Sequence, residues 1–277
     1  IFNMSTSHEQ YTFSKFASNS FYRNQNSELI DLLDIGDKQK IVDLACGTGG
    51  VTRLLFERLK NARDAVVIGI DHSSIAIKQA IEDFKDVKSS AVQFVQGGIE
   101  HLSTSVKDKV DTIVLCNAIH YIPDKDTLLT DINKALHPGG KFAFNTTFFE
   151  GAHLPETLKF YRVWMLKAMR HLKSEYGLSI NRSDKVESRK QLTPDDYKNL
   201  LNKNGFHISI QEIKTVQFTK EGFLDISKFD DFIKGTLPGV PLDKASKSLQ
   251  AGVHQAFEEL NLKYVLRNWL DVVAIRK

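Results

Sequence analysis

The sequence predicts an α/β fold, a doubly wound and mostly parallel sheet that carries helical cap insertions, and three observations predict it. From Lys40 to Phe148 short apolar runs alternate with amphipathic stretches. A glycine-rich turn, "CGTGG", follows the first apolar run, where a strand gives way to a helix. After Phe148 the pattern changes to a long aromatic and polar region with apolar residues at helical spacing and no strand signal. Apolar runs without polar alternation belong to strands covered on both faces, and helices between them imply parallel pairing through right-handed crossovers.

Taken in order, residues 1–39 form an N-terminal helical segment that includes "YTFSKFASNSFYRN" and is expected to join the cap. Residues 40–147 are the core. Its strands are "KIVDLAC", "AVVIGID", "AVQFVQG", "VDTIVLCN" and "KFAFNTTF", and its helices "VTRLLFERLK", "SSIAIKQAIEDF" and "TLLTDINKAL". "LHPGG", with Gly139 and Gly140, reads as the turn before the fifth strand. Residues 148–192 are a helical cap insertion. Residues 193–218 return to the core with a helix opened by Thr193 as N-cap and Pro194 at its first position, ended by Gly205, and then the strand "HISIQEIKTVQF". Residues 219–268 are a second cap insertion, with a Pro-Gly turn and the helix "KASKSLQAGVHQAFEEL". The run "WLDVVAIRK", 269–277, closes the chain as a strand.

Composition narrows the function. The 277 residues are 42% hydrophobic and 26% charged, enough for a large core, and the formal net charge of +3 comes from interleaved acids and bases. That distribution gives no footprint for a nucleic-acid backbone, so nucleic acid is not an expected partner. Cys46 and Cys116 lie in apolar runs and read as reduced, buried thiols of a cytoplasmic protein. No leader-type apolar segment occurs, and no apolar run approaches the ~20 residues of a membrane span. Ile1–Asn3 precede Met4, which reads as a natural start, so they are expected to be an artificial addition ahead of it.

The decisive stretch is "IVDLACGTGGVTRLL", Ile41 to Leu55. Gly47 and Gly49 permit positive φ and a close ligand approach. A dinucleotide loop would read G-x-G-x-x-G/A, but the position after Gly47 and Gly49 that should be small is Thr52. Asp43, near the end of the first strand, would repel a pyrophosphate and attract an ammonium or sulfonium group. Asp71 ends the second strand about 20 residues after the loop, where an acid accepts bonds from both ribose hydroxyls. A ligand with a ribose and a positive centre answers both.

On "VDLACGTG", "IGIDHS" and "LHPGGKFAF", in that order and spacing, the chain resembles the class I S-adenosylmethionine-dependent methyltransferases of Rossmann-like, seven-stranded fold, closely over Lys40–Thr147. The resemblance implies S-adenosylmethionine as cofactor and S-adenosylhomocysteine as product. It implies cofactor contacts from Asp43, Ala45, Gly47, Gly49, Asp71 and His72, with Ala45 where many members have glycine. It also places Gly98, Ile99 and Asn117 at the cofactor. Gly98 stands where the family often has an acid for the adenine, and Asn117 ends the fourth strand beside the methionine part. The fourth strand reads "CNAI" rather than the "NPPY" of nucleobase and glutamine methylation.

Methyl transfer from a sulfonium is an in-line displacement that needs alignment, exclusion of water and, for some acceptors, a base. His120, just past the fourth strand, is the first candidate base and His153 the second. Tyr121, Phe148, Phe149, Tyr161 and Trp164 are candidates to line the acceptor site, with the alternative that the aromatics at helical spacing are a core stripe. These rings favour a small hydrophobic or aromatic acceptor, in specialised or quinone-like metabolism. No His or Cys cluster has metal spacing, so no metal is expected. The alternative is a fold that binds S-adenosylmethionine for a cyclase or isomerase reaction. A nicotinamide oxidoreductase is opposed by Asp43 and Thr52.

Overall fold

In a computed structural model, residues 11, 13–88, 91–99, 102–181 and 190–277 are described. Ile1–Met4 lie outside them. The helices are α1 (Ser14–Ala17), α2 (Ser20–Asp31), α3 (Gly50–Leu59), α4 (Ser74–Asp83), α5 (Leu102–Ser105), α6 (Lys125–Ala135), α7 (Leu158–Tyr176), α8 (Pro194–Lys203), α9 (Lys220–Ile226), α10 (Asp230–Thr236) and α11 (Leu242–Glu259). The strands are β1 (Lys40–Leu44), β2 (Val66–Asp71), β3 (Val92–Gln96), β4 (Val110–Cys116), β5 (Leu136–Thr146), β6 (Phe206–Thr219) and β7 (Tyr264–Arg276).

The strands form one seven-stranded sheet in the order β3-β2-β1-β4-β5-β7-β6. β1 pairs in parallel with β2 on one side and β4 on the other, β2 with β3 and β4 with β5 likewise, and β5 pairs antiparallel with β7. The doubly wound α/β fold expected from the sequence is therefore present. The strand order reverses between β1 and β4, which makes their carboxyl ends the crevice where such sheets take ligands. Local chemistry sets the boundaries: Ser73 caps α4 by accepting from the Ala76 N–H, and Thr193 and Asp196 form a reciprocal capping box at α8 with Pro194 behind them.

Four boundaries differ from the sequence expectation. "HPGG" lies inside β5, because Val110 pairs with Leu136 and the next pair is Thr112 with Lys141, so the extra residues bulge out of register. Gly139 has φ +77° there, and a Cβ on Gly140 would stand 2.8 Å from the His137 carbonyl oxygen. β7 begins at Tyr264 rather than Trp269, and α9 and α10 precede the one helix expected in 219–268. Most consequential is α2. Leu29, Ile30 and Leu33 pack in a cluster with Ile41, Val51, Leu55, Val114, Ala143 and Val273, so residues 22–39 belong to the sheet's core rather than to a cap.

The chain divides into two compact units. One comprises Tyr22–Glu150, Gln191–Lys214 and Trp269–Lys277, and the other the described residues of 1–21, 151–190 and 215–268. The second is helical at its centre: α7 packs along α11, the Trp164 indole N–H donates to the Leu249 carbonyl at 2.9 Å, and Phe160, Trp164, Phe223 and Phe257 form an aromatic core.

Candidate functional site

β1 delivers Asp43 one residue before its end, and the chain then makes a turn built on left-handed backbone: Ala45 has φ +59°, Gly47 +55° and Gly49 +86°, the last opening α3. Glycine removes the Cβ penalty at two of these positions and Ala45 retains it. Gly49 is also required by packing, since a Cβ there would meet the Phe84 ring at 3.0 Å and Phe94 at 3.3 Å.

The two acids divide the site. Asp71, at the end of β2, accepts from the Gly47 N–H with one carboxylate oxygen and from the Ser73 N–H with the other, both at 2.8 Å. The turn's leading N–H is thereby committed to an anion already in the protein, which removes a donor that a pyrophosphate would use. A carboxylate has about four acceptor positions, so Asp71 keeps two for hydroxyl donors. Asp43 is 1% exposed and accepts from the Thr52 hydroxyl at 2.6 Å. Thr52, noted in the sequence for its bulk, is thus the partner of the acid. Burial, aided by the charge of Asp71, pushes Asp43 up to about 7 despite the Thr52 hydrogen bonds that pull it down. An acid desolvated in this way gains by acquiring a cation.

The remaining sequence candidates in this unit fall at neighbouring strand ends. His72 follows Asp71, with its ring largely exposed and Nδ1 3.5 Å from the Asp71 carboxylate. Gly98 and Ile99 follow β3, half-buried. Asn117, past β4, has φ +48°, and its N–H donates to the side-chain oxygen of Asn145 at 2.9 Å. His120 lies in a 3-10 turn, Ile119–Tyr121, buried, with Nδ1 3.1 Å from the Thr146 hydroxyl. Its ring stacks on Phe148 at 4.4 Å and lies 4.1 Å from Tyr121. Phe149 is buried at 1% exposure.

Three further candidates belong to the other unit. His153 and Tyr161 have ring centroids 4.1 Å apart, and the buried Arg267 donates to the Tyr161 hydroxyl at 3.1 Å. Burial and the Arg267 charge lower His153 to about 4, which leaves its ring uncharged at neutral pH. Trp164 is 3% exposed and its one N–H is donated to the Leu249 carbonyl. Tyr22, Asn26 and Asn145 were not anticipated at all. Asn26 and Asn145 are buried, with Asn145 Nδ2 donating to Asn26 Oδ1 at 2.9 Å. For Tyr22 and Asn26 the sequence signal is the polar run "YRNQN" in a helix that buries one face, and Asn145 stands as a polar residue near the end of the apolar run "KFAFNTTF".

Among the described residues no three or more potential ligands gather to hold a metal ion, and no helix is long and apolar enough to cross a membrane.

Two acids at a glycine turn on the switch point of a seven-stranded sheet fit S-adenosylmethionine, with Asp71 free to take ribose hydroxyls and Asp43 placed for a positive centre. A methyltransferase-domain family model matches residues 35–205, and the chain belongs to that family, of the S-adenosylmethionine-dependent class I type. Its cofactor is S-adenosylmethionine. Trans-aconitate 2-methyltransferase of Azoarcus sp. (strain BH72) is 30% identical over 116 residues, which is 42% of each chain, so the match spans less than half of that relative. A phosphoethanolamine N-methyltransferase 2 of Haemonchus contortus, solved with phosphomonomethylethanolamine and S-adenosylhomocysteine, superposes with a TM-score of 0.57 at 20% identity, covering 97% of this chain and 58% of that one. The [4+2]-cyclase SpnF superposes with a TM-score of 0.55 at 13% identity, covering 92% and 81%. Both structures share the fold.

Proposed function

We propose that this protein transfers the methyl group of S-adenosylmethionine to an oxygen, nitrogen or carbon atom of a small hydrophobic or aromatic acceptor, in specialised metabolism. The observation that carries the reading is the Gly47 N–H bonded to Asp71 with Asp43 buried behind the same turn, a negative environment suited to a cation and hostile to a pyrophosphate. The bound cofactor supplies an electrophilic methyl carbon on a sulfonium. Asp71 takes the ribose, Asp43 balances positive charge, and Ala45, Gly47, Gly49, His72, Gly98, Ile99 and Asn117 complete the cofactor contacts. His120, flanked by Tyr121 and Phe148, is the residue proposed to remove the acceptor's proton where one must leave, and the two rings line its surroundings. The insertions 148–192 and 219–268 are proposed to govern which acceptor is taken. By their names, the trans-aconitate and phosphoethanolamine enzymes act on small molecules, which supports a small acceptor here.

Calorimetric titration with S-adenosylmethionine, S-adenosylhomocysteine and NADH tests the first step. Binding of the two sulfur compounds without NADH is expected, and NADH binding alone would refute the reading of Asp43. A mass gain of one methyl group in an acceptor screen then separates transfer from the cyclase alternative, in which a product of unchanged mass forms.

A further inference from the structure

Asn117 is held in a conformation that its strand does not require. β4 ends at Cys116, and the next residue turns to φ +48°, a left-handed backbone that asparagine adopts more readily than other residues with a Cβ. Three contacts fix it there. The Asn117 N–H donates to both oxygens of Asn145, the carbonyl at 3.0 Å and the side chain at 2.9 Å, and the Asn117 side-chain oxygen accepts from the Thr147 N–H at 3.2 Å. Asn145 is fully buried, and its Nδ2 donates to Asn26 Oδ1 on α2 at 2.9 Å. Asn26 in turn bonds the buried Tyr22 side chain.

We propose that Asn145 and Asn26 are positioning residues for cofactor binding, holding the Asn117 corner in the shape that the amino-acid part of S-adenosylmethionine meets. The inference rests on the assignment of Asn117 to the cofactor made above. A hydrophobic pair of the same size would fill the space between α2 and β5 without the desolvation cost of two carboxamides, so packing alone does not account for them. Left-handed backbone on a residue other than glycine, held from several sides, clusters at ligand-contacting corners. One observation points outward: Asn117 Nδ2 is buried and has no hydrogen-bond partner among the described residues, a donor that a ligand oxygen would satisfy.

The test uses the full chain and three variants, read by calorimetric Kd for S-adenosylmethionine and S-adenosylhomocysteine together with melting temperature. Asn145→Leu keeps the size and removes the side-chain acceptor for the Asn117 N–H and the donor to Asn26, leaving only the Asn145 backbone carbonyl, and both Kd values should rise about tenfold. Asn145→Asp, measured at pH 6, should stay within about threefold of the parent. Burial opposite Asp271, its register partner on β7, holds the new carboxyl protonated, with one oxygen to accept and one hydroxyl to donate. Asn26→Leu removes the acceptor for Asn145 and should weaken binding about three- to tenfold with the chain still folded. A merely structural role would lower the melting temperature of the leucine variants and leave both Kd values where they were, which overturns the proposal. Should Asn145→Leu not fold, the contrast between Asn26→Leu and Asn145→Asp decides, and equal parental affinity in both overturns it. A parent chain that binds neither sulfur compound refutes the cofactor assignment itself, and this inference with it.

Discussion

Asp43 couples the stability of the fold to pH through one proton. Burial raises it from its ordinary value near 3.8 to about 7, so the folded chain favours the protonated form. The stability this group contributes is full below about pH 4 and lost as pH rises through 7, a swing on the order of 2–4 kcal/mol for a group this deeply buried. Asp271, raised to about 6 by burial, has the same sign, so the comparison must be made against a variant. Asp43→Asn keeps the acceptor for Thr52 and removes the proton. Denaturant titrations at pH 5 and 8 should show the parent losing more stability than the variant across that interval. A cation favours the ionised carboxylate, so affinity for S-adenosylmethionine should tighten through pH 7 in the parent and stay nearly flat in Asp43→Asn. Parallel profiles for both chains would remove Asp43 from the cofactor. Two positions on, Ala45 carries left-handed backbone at φ +59°. Ala45→Gly should raise unfolding free energy by up to about 1 kcal/mol, since the relief of the Cβ contact exceeds the entropy that glycine adds to the unfolded chain. At His120, replacement by Ala should cut turnover about a hundredfold or more with cofactor Kd within about threefold. An unchanged rate would leave the acceptor without a base from this residue.

Elements differ in how openly the sequence declares them, and burial is the reason. β1, β2 and β4 are buried on both faces of a parallel sheet, so they appear as unbroken apolar runs, and the glycine turn and both acids stand within reach of those runs in the sequence. The first residues of β7, "YVLRN", alternate in burial and carry a charge, so the strand shows itself only from Trp269. α9 and α10 span seven residues each, too few for a helical period to register. The Asn26–Asn145 bond joins positions 119 residues apart, and no local pattern announces such a contact. α2 misleads for a related reason: its one apolar stripe is compatible with a cap or a core, and only the residues opposite Leu29 and Ile30 decide. In the helical unit the close approach of α7 and α11 depends on Gly252, where a Cβ would stand 2.8 Å from the Trp164 carbonyl oxygen and 2.9 Å from the Ala168 nitrogen. Both obstacles are backbone, which cannot swing aside. Gly252→Ala should therefore destabilise the chain by about 1–3 kcal/mol despite the better helix propensity of alanine, measured as a lower denaturation midpoint. A gain in stability would mean that the helices separate at little cost.

At the scale of the whole molecule, the assignment of cofactor binding to the sheet unit predicts where and how strongly a ligand stabilises the chain. S-adenosylhomocysteine at a hundred times its Kd should add about 2.7 kcal/mol to the unfolding free energy, which for a chain of this size raises the melting temperature by several degrees. Hydrogen exchange should slow most at the amides of Cys46–Gly49, Asp71–Ser73 and Asn117–Tyr121, the segments that follow β1, β2 and β4. Protection confined to α7 and α11 would instead place the ligand in the helical unit and overturn the roles given to Asp43 and Asp71. Salt gives an independent check. A ligand that binds through phosphates releases counterions and weakens steeply as salt rises, whereas the acid assigned to this cofactor is buried and poorly screened. The Kd for S-adenosylmethionine should therefore change less than about threefold between 50 and 200 mM salt, and a rise of ten times or more would mean that exposed basic residues, with an anionic ligand, carry the binding instead.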